Sequence, residues 1–132
     1  MGSVVSTARS VVVDTDVLLD HLRGLPEALS FLTRNGDRIL IPAIVVAELH
    51  AGAGEGRDRE TLEELLSLFP VAPLTGEVAA AAGRLQRDYG PSHGLGLADA
   101  VIAATAQAVN AELATRNARH FPMFPGLRPP YA

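Results

Sequence analysis

The stretch "VVVDTDVLLD", residues 11–20, opens as a buried strand and then carries three aspartates within seven residues. A β-branched apolar run bounded by polar residues reads as a short interior strand. The acids that follow sit either harmlessly on a turn and a helix surface or at the start of a site that needs negative charge. "TDVLLDHLRG" continues as a helix, with Thr15 or Asp16 near its N-cap and Gly24 as its stop. Strand, acid, helix is the opening of an α/β unit.

The same alternation repeats outward. Pro26 stands at a first helical position for "PEALSFLTRNG", and Gly36 ends that helix. "RILIP" is a second strand, "PAIVVAELHAGAG" a helix, "GAGEGRDRE" a polar loop and "DRETLEELLSLF" an amphipathic helix. "VAPL" is a third strand. "TGEVAAAAGRLQRDYG" is a helix capped by Thr75, and "GPSHGLG" is expected as a loop. "LADAVIAATAQAVNA" is apolar almost all round, which predicts a central helix packed on several sides. "ELAT" is a fourth strand, and the tail "PMFPGLRPPYA" is too rich in proline for more than a short edge strand. Short strands alternating with helices predict an α/β fold with a parallel sheet covered on both faces. One domain over residues 1–132 is expected, with residues 1–9 as a loose arm and 122–132 as a Pro-rich tail.

Composition narrows the function. The chain is 48% hydrophobic and 20% charged, a balance that predicts a packed globule. It has no cysteine, which removes disulfides and thiolate metal sites. Its net charge of −4 argues against a general nucleic-acid coating protein but not against an enzyme with a local arginine patch. All eleven basic residues are arginine, so any mechanism that needs a catalytic lysine is excluded. No stretch reads as an export signal or a membrane span, so a cytoplasmic location is expected.

The informative acids stand where periodicity expects an apolar residue. Asp14 ends the first strand, and ligands of open α/β sheets bind beyond the carboxyl ends of strands. Its structural alternative is an N-cap, and the two roles can coexist. Glu48 shares a helix face with Ile44, Val45 and Gly52. A carboxylate there is paired, protonated or metal-bound, or the position lies at a helix edge open to water. Asp99 begins "LADAVIAATA" on the face of Ile102, Ala103 and Ala106, either as a capping acid or as part of a site. The helix dipole there offers about 0.3–1 kcal/mol. Desolvating an unpaired charge costs several kcal/mol.

Should these three carboxylates converge, each raises the others' pKa, and a divalent cation removes the conflict. Oxygen ligands without cysteine suit Mg²⁺ or Mn²⁺. The four histidines, His21, His50, His93 and His120, have no zinc-motif spacing.

Four blocks, "VVVDTDVLLD", "IPAIVVAELHAG", "GLGLADAVIAATA" and "LATRNARHF", together resemble the PIN-domain ribonucleases, specifically the VapC-type toxins of toxin–antitoxin pairs. The resemblance runs over nearly the whole chain. It implies a three-layer α/β/α sandwich with a short, mainly parallel central sheet. It also implies a Mg²⁺- or Mn²⁺-dependent endoribonuclease, with Asp14 and Asp99 as principal metal ligands and Glu48 as a ligand or water-positioning base. Asn117 stands where the family often has a further acid, which puts a second tightly bound metal in doubt. Thr15, Asp16 and Thr115 are expected to support the ligands, and Arg116 and Arg119 to face RNA phosphates. A cognate VapB-like antitoxin and a homodimer are the implied partners.

Two rivals stand beside this. "DTD" also resembles the opening block of haloacid-dehalogenase-like phosphohydrolases, but Val17-Leu18 replaces their Gly-Thr and their lysine is missing. An inactive PIN-like binding module would keep the fold without the chemistry, and Asn117 leaves that open.

Overall fold

The computed structural model describes residues 9–132. Most of the expected N-terminal arm lies outside the described residues. Its last residue, Arg9, donates from Nε and Nη2 to the carbonyls of Asn110 and Ala111, at 3.0 and 3.1 Å.

Four strands form one sheet. β1 (Val11–Val13) lies between β2 (Ile39–Pro42) and β4 (Glu112–Ala114), and β3 (Val71–Ala72) flanks β2. Every pairing is parallel, with Val12 opposite both Leu40 and Leu113. Successive strand residues point to opposite faces. Val11, Val12 and Val13 are nonetheless all at most 4% exposed, so both faces of the sheet are covered. This is the expected layered α/β architecture, reached because consecutive valines have no polar side to turn to water.

The helices follow the expected order: α1 (Thr15–Leu22), α2 (Pro26–Arg34), α3 (Ala43–Gly52), α4 (Arg57–Leu66), α5 (Gly76–His93) and α6 (Leu97–Ala108). Thr75 caps α5 through its hydroxyl, which accepts from Val78 N at 3.1 Å. α6 is the central helix: Ala100 through Ala106 are all buried, and α5 packs along it. Three local expectations are corrected. The N-cap of α1 is Asp14, one residue before Thr15 and two before Asp16. The expected loop "GPSHGLG" is mostly helix, because α5 continues through Pro91. Its stop is Gly94, left-handed at φ 68°, whose N–H donates to the Gly90 carbonyl at 2.9 Å. α6 ends at Ala108, three residues short of the predicted segment. Asn110, at φ 52°, turns the chain into β4 there.

The sheet order fixes where a site forms. The chain steps from β1 to β2 to β3 in one direction, and β4 then joins the other side of β1. Strand order therefore reverses between β1 and β4, and such a switch point leaves a crevice at the carboxyl ends of its two strands. The next residues after those strands are Asp14 and Thr115. Beyond β4, Phe121 is fully buried and anchors the tail, which forms neither helix nor strand from residue 122 on. Its Met123, Phe124, Leu127 and Tyr131 pack half-buried against the core.

Candidate acidic active site

Asp14 is 5% exposed and held from two sides. Its Oδ1 accepts from Thr15 N at 2.7 Å, and its Oδ2 accepts from Thr115 Oγ1 at 2.7 Å. It is thus both an N-cap and a crevice residue. Thr115, fully buried, also accepts from Asn117 N at 3.0 Å, which folds the chain after β4 back toward Asp14. Burial, the charge of Asp16 and the charge of Asp99 push the Asp14 carboxyl up to about 7, against the two hydrogen bonds that favour its ionised form.

Asp16, in the first turn of α1, reaches the same loop. Its Oδ2 accepts from Arg116 N at 3.0 Å and from Asn117 Nδ2 at 3.3 Å. Its Oδ1 is buried and has no hydrogen-bond partner among the described residues. Burial raises its pKa, and the charge of Asp20 adds to that.

Asp99 is half-buried in the first turn of α6. No side chain caps that helix start, so Asp99 is not there as a cap. Burial and the charge of Glu48 raise its pKa, while His120 opposes them from 3.8 Å, measured between Nδ1 and Oδ2.

Glu48 differs from the expected apolar-face position: it is exposed. α3 buries only Val45 and Leu49, so its apolar residues do not mark one inward face and periodicity misplaces the acid. Its Oε1 accepts from Thr15 Oγ1 at 2.7 Å, which ties α3 to the start of α1.

The fold thus gathers Asp14, Asp16, Asp99 and Glu48 from segments up to 85 residues apart, close enough for each to act on another's charge. Among the described residues, no group of three His, Cys, Asp or Glu side chains is arranged so as to hold a metal ion. The donor chemistry nevertheless suits a hard divalent cation: carboxylate oxygens in excess, raised pKa values, and one buried acceptor with nothing to accept from. A cavity of about 510 Å³ lies elsewhere, against Arg38, Glu112 and Phe124, and none of the candidate residues lines it.

Of the two arginines expected to face RNA, Arg119 is exposed. The guanidinium of Arg116 is engaged with Asp20, Nη1 to Oδ2 at 2.9 Å. Asp20, further along α1, is buried rather than on the helix surface, and it also accepts from Tyr131 Oη at 2.6 Å. One sequence signal pointed there. Asp20 is four residues after Asp16 and shares its helix face. His120 was set aside with the other histidines, although it directly precedes the buried Phe121, which fixes it beside Asp99.

A PIN-domain model matches residues 11–125, so the chain belongs to the PIN-domain family. Within that family it is 44% identical to ribonuclease VapC19 of Mycobacterium tuberculosis over 124 residues, 91% of this chain and 98% of the relative. It is 42% identical to ribonuclease VapC10 of the same species over 125 residues, covering 92% and 93% of the two chains. These identities place it among the VapC-type ribonucleases. A toxin–antitoxin complex from Klebsiella pneumoniae contains a chain of the same fold, at TM-score 0.80 and 32% identity, covering 92% of this chain and 98% of that one. PIN ribonucleases are generally dependent on a divalent metal. No helix among the described residues is long and apolar enough to cross a membrane.

Proposed function

We propose that this chain is an endoribonuclease that hydrolyses RNA phosphodiester bonds at the crevice between β1 and β4, with Mg²⁺ or Mn²⁺ as its cofactor. The observation that supports this most is Asp14 at the end of β1, where burial and the neighbouring charges of Asp16 and Asp99 push its carboxyl up to about 7. Asp14 and Asp99 would hold the cation, with Glu48 as a further ligand or as the base that positions water. Bound there, the ion supplies activation of water and neutralisation of charge on the phosphate. Thr15, Thr115, Asp16 and Asn117 orient the carboxylates and the loop beside them. Arg119 is available to RNA phosphates on an open surface.

The reading extends to assembly. The Klebsiella relative is a toxin–antitoxin complex. By analogy, this chain would act as a toxin restrained by a VapB-like antitoxin in the cytoplasm, and would pair as a homodimer. An antitoxin arginine or lysine entering the crevice would replace the cation's charge.

The test uses purified protein free of antitoxin, labelled total RNA and a generic phosphomonoester, each with Mg²⁺ or EDTA. RNA cleavage that requires Mg²⁺ and disappears in Asp14→Asn and Asp99→Asn supports the nuclease. Release of phosphate from the monoester without RNA cleavage would replace it with a phosphohydrolase. Neither activity, across several RNA classes, would leave a binding module.

A further inference from the structure

Arg116 meets the acids of α1 twice. Its backbone N–H donates to Asp16 at 3.0 Å, while its guanidinium is bonded to Asp20, one turn further along the helix, and not to the acids of the crevice. Two groups hold it there. Asp20 accepts from Nη1 at 2.9 Å, and the Tyr131 ring lies under the guanidinium at 5.9 Å. Tyr131 also donates to the same Asp20 oxygen at 2.6 Å, and its ring meets Phe31 edge-on at 6.3 Å. The penultimate residue of the chain thus fixes an arginine that adjoins the candidate site.

This arrangement has a cost that needs a reason. Asp16 Oδ1 is buried and unpartnered one turn from Asp20, and a guanidinium carries five donors. Left to itself, Arg116 would satisfy Asp16 and offset the charge around Asp14. An arginine seated among those carboxylates would stand in for the cation and compete with it.

We propose that Tyr131 and Asp20 form a latch that keeps Arg116 out of the acidic crevice, so that the carboxylates stay available to a divalent cation. Tyr131 and Asp20 are positioning residues on this account: neither touches the reacting phosphate. The proposal rests on the carboxylates being a cation site, as given under Proposed function.

Divalent-cation binding, measured by calorimetry with Mn²⁺ and without RNA, tests it. If freed Arg116 fills the crevice most of the time, Tyr131→Leu and Asp20→Asn each weaken Mn²⁺ binding about three- to tenfold, since only the vacant fraction binds. Tyr131→Leu removes the ring and the hydroxyl together but keeps an apolar side chain against Phe31, and Asp20→Asn leaves that packing untouched. Adding Arg116→Ala to either variant restores wild-type affinity, because the internal competitor is gone. A general loosening of the site would instead be worsened by that second change. Unchanged affinity in the two latch variants, or no restoration by Arg116→Ala, overturns the latch. A second readout needs no metal: the Arg116 Nη–H resonances are slow to exchange in the wild type, where Nη1 donates to Asp20, and fast in Asp20→Asn. Rapid exchange in the wild type overturns the latch by itself. A wild type that binds no Mn²⁺ while its Arg116 proton stays protected would instead overturn the cation site.

Discussion

Two carboxylate environments stand on one short helix. At the start of α1, burial and the charges of Asp16 and Asp99 raise the pKa of Asp14, while burial and the charge of Asp20 raise that of Asp16. Just over one turn on, Asp20 is buried yet has its pKa lowered: burial pushes it up, but Tyr131 and Arg116 more than compensate by hydrogen bonds and charge. One region holds acid that the protein alone does not satisfy, and the other holds acid that it satisfies fully. Frustrated charge at a strand end marks chemistry, and satisfied charge marks architecture. Burial by itself does not distinguish them.

The sharpest break of this comparison is in activity. Asp14→Asn and Asp99→Asn are expected to lower the rate of RNA cleavage about a hundredfold or more, because the cation supplies several kcal/mol of charge stabilisation. EDTA should do the same to the wild type, read on one labelled RNA.

The next effect is on stability, and it has opposite signs in the two regions. Asp14 has a folded pKa near 7, above the ordinary 3.8. The native state therefore holds its proton over a range where the unfolded chain releases it. This stabilises the fold below pH ~4 and is lost as pH rises through 7, by at most on the order of 4 kcal/mol. In EDTA, the wild-type melting temperature should fall between pH 4 and 7, and Asp14→Asn should flatten that fall. Above pH 7 the variant should be the more stable of the two. A parallel fall in both proteins would remove Asp14 as its cause.

Asp20 behaves in reverse. Its lowered pKa gives stability that is present at neutral pH and lost only as pH drops below about 4. Asp20→Asn should cost roughly 1–3 kcal/mol at pH 7, the usual range for a hydrogen bond to a charged group. Chemical denaturation at pH 7 and pH 3 checks both halves of the statement.

The smallest expected effect lies at the join between β1 and β4. Thr115→Val removes the donor to Asp14 Oδ2 and the acceptor of Asn117 N. It should cost about 1 kcal/mol of stability, by the ordinary worth of a hydrogen bond. It should also lift the Asp14 pKa further, since a bond that favours the carboxylate is gone. Carboxyl carbon NMR titration reads that shift.

Much of the fold was legible because its signals are local. Three consecutive valines, Pro26 at a helix start, Thr75 at a cap and the run Ala100–Ala106 each speak for themselves. Asp14 was legible because a strand end is a position that topology makes special. Glu48 was found by type and misjudged by burial, since the apolar residues of α3 do not point one way. The Asp20–Arg116–Tyr131 cluster was not legible. Its members lie 96 and 111 residues from Asp20, and no periodicity reaches across that separation. The helix through Pro91 was missed for a related reason: the sequence offered two stop signals, and only the backbone shows that Gly94 is the one used.

The strand order has one more consequence, and it concerns time. β1 is the first strand made and the central one, yet one of its two neighbours is β4, the last. Asp14 is held by a hydroxyl made 101 residues later, and Arg116 by a ring near the final residue. A chain emerging in order from its N-terminus therefore carries Asp14, Glu48 and Asp99 before Thr115 is there to hold Asp14 from its second side. The crevice between β1 and β4 is complete only once β4 and the segment behind it have been made.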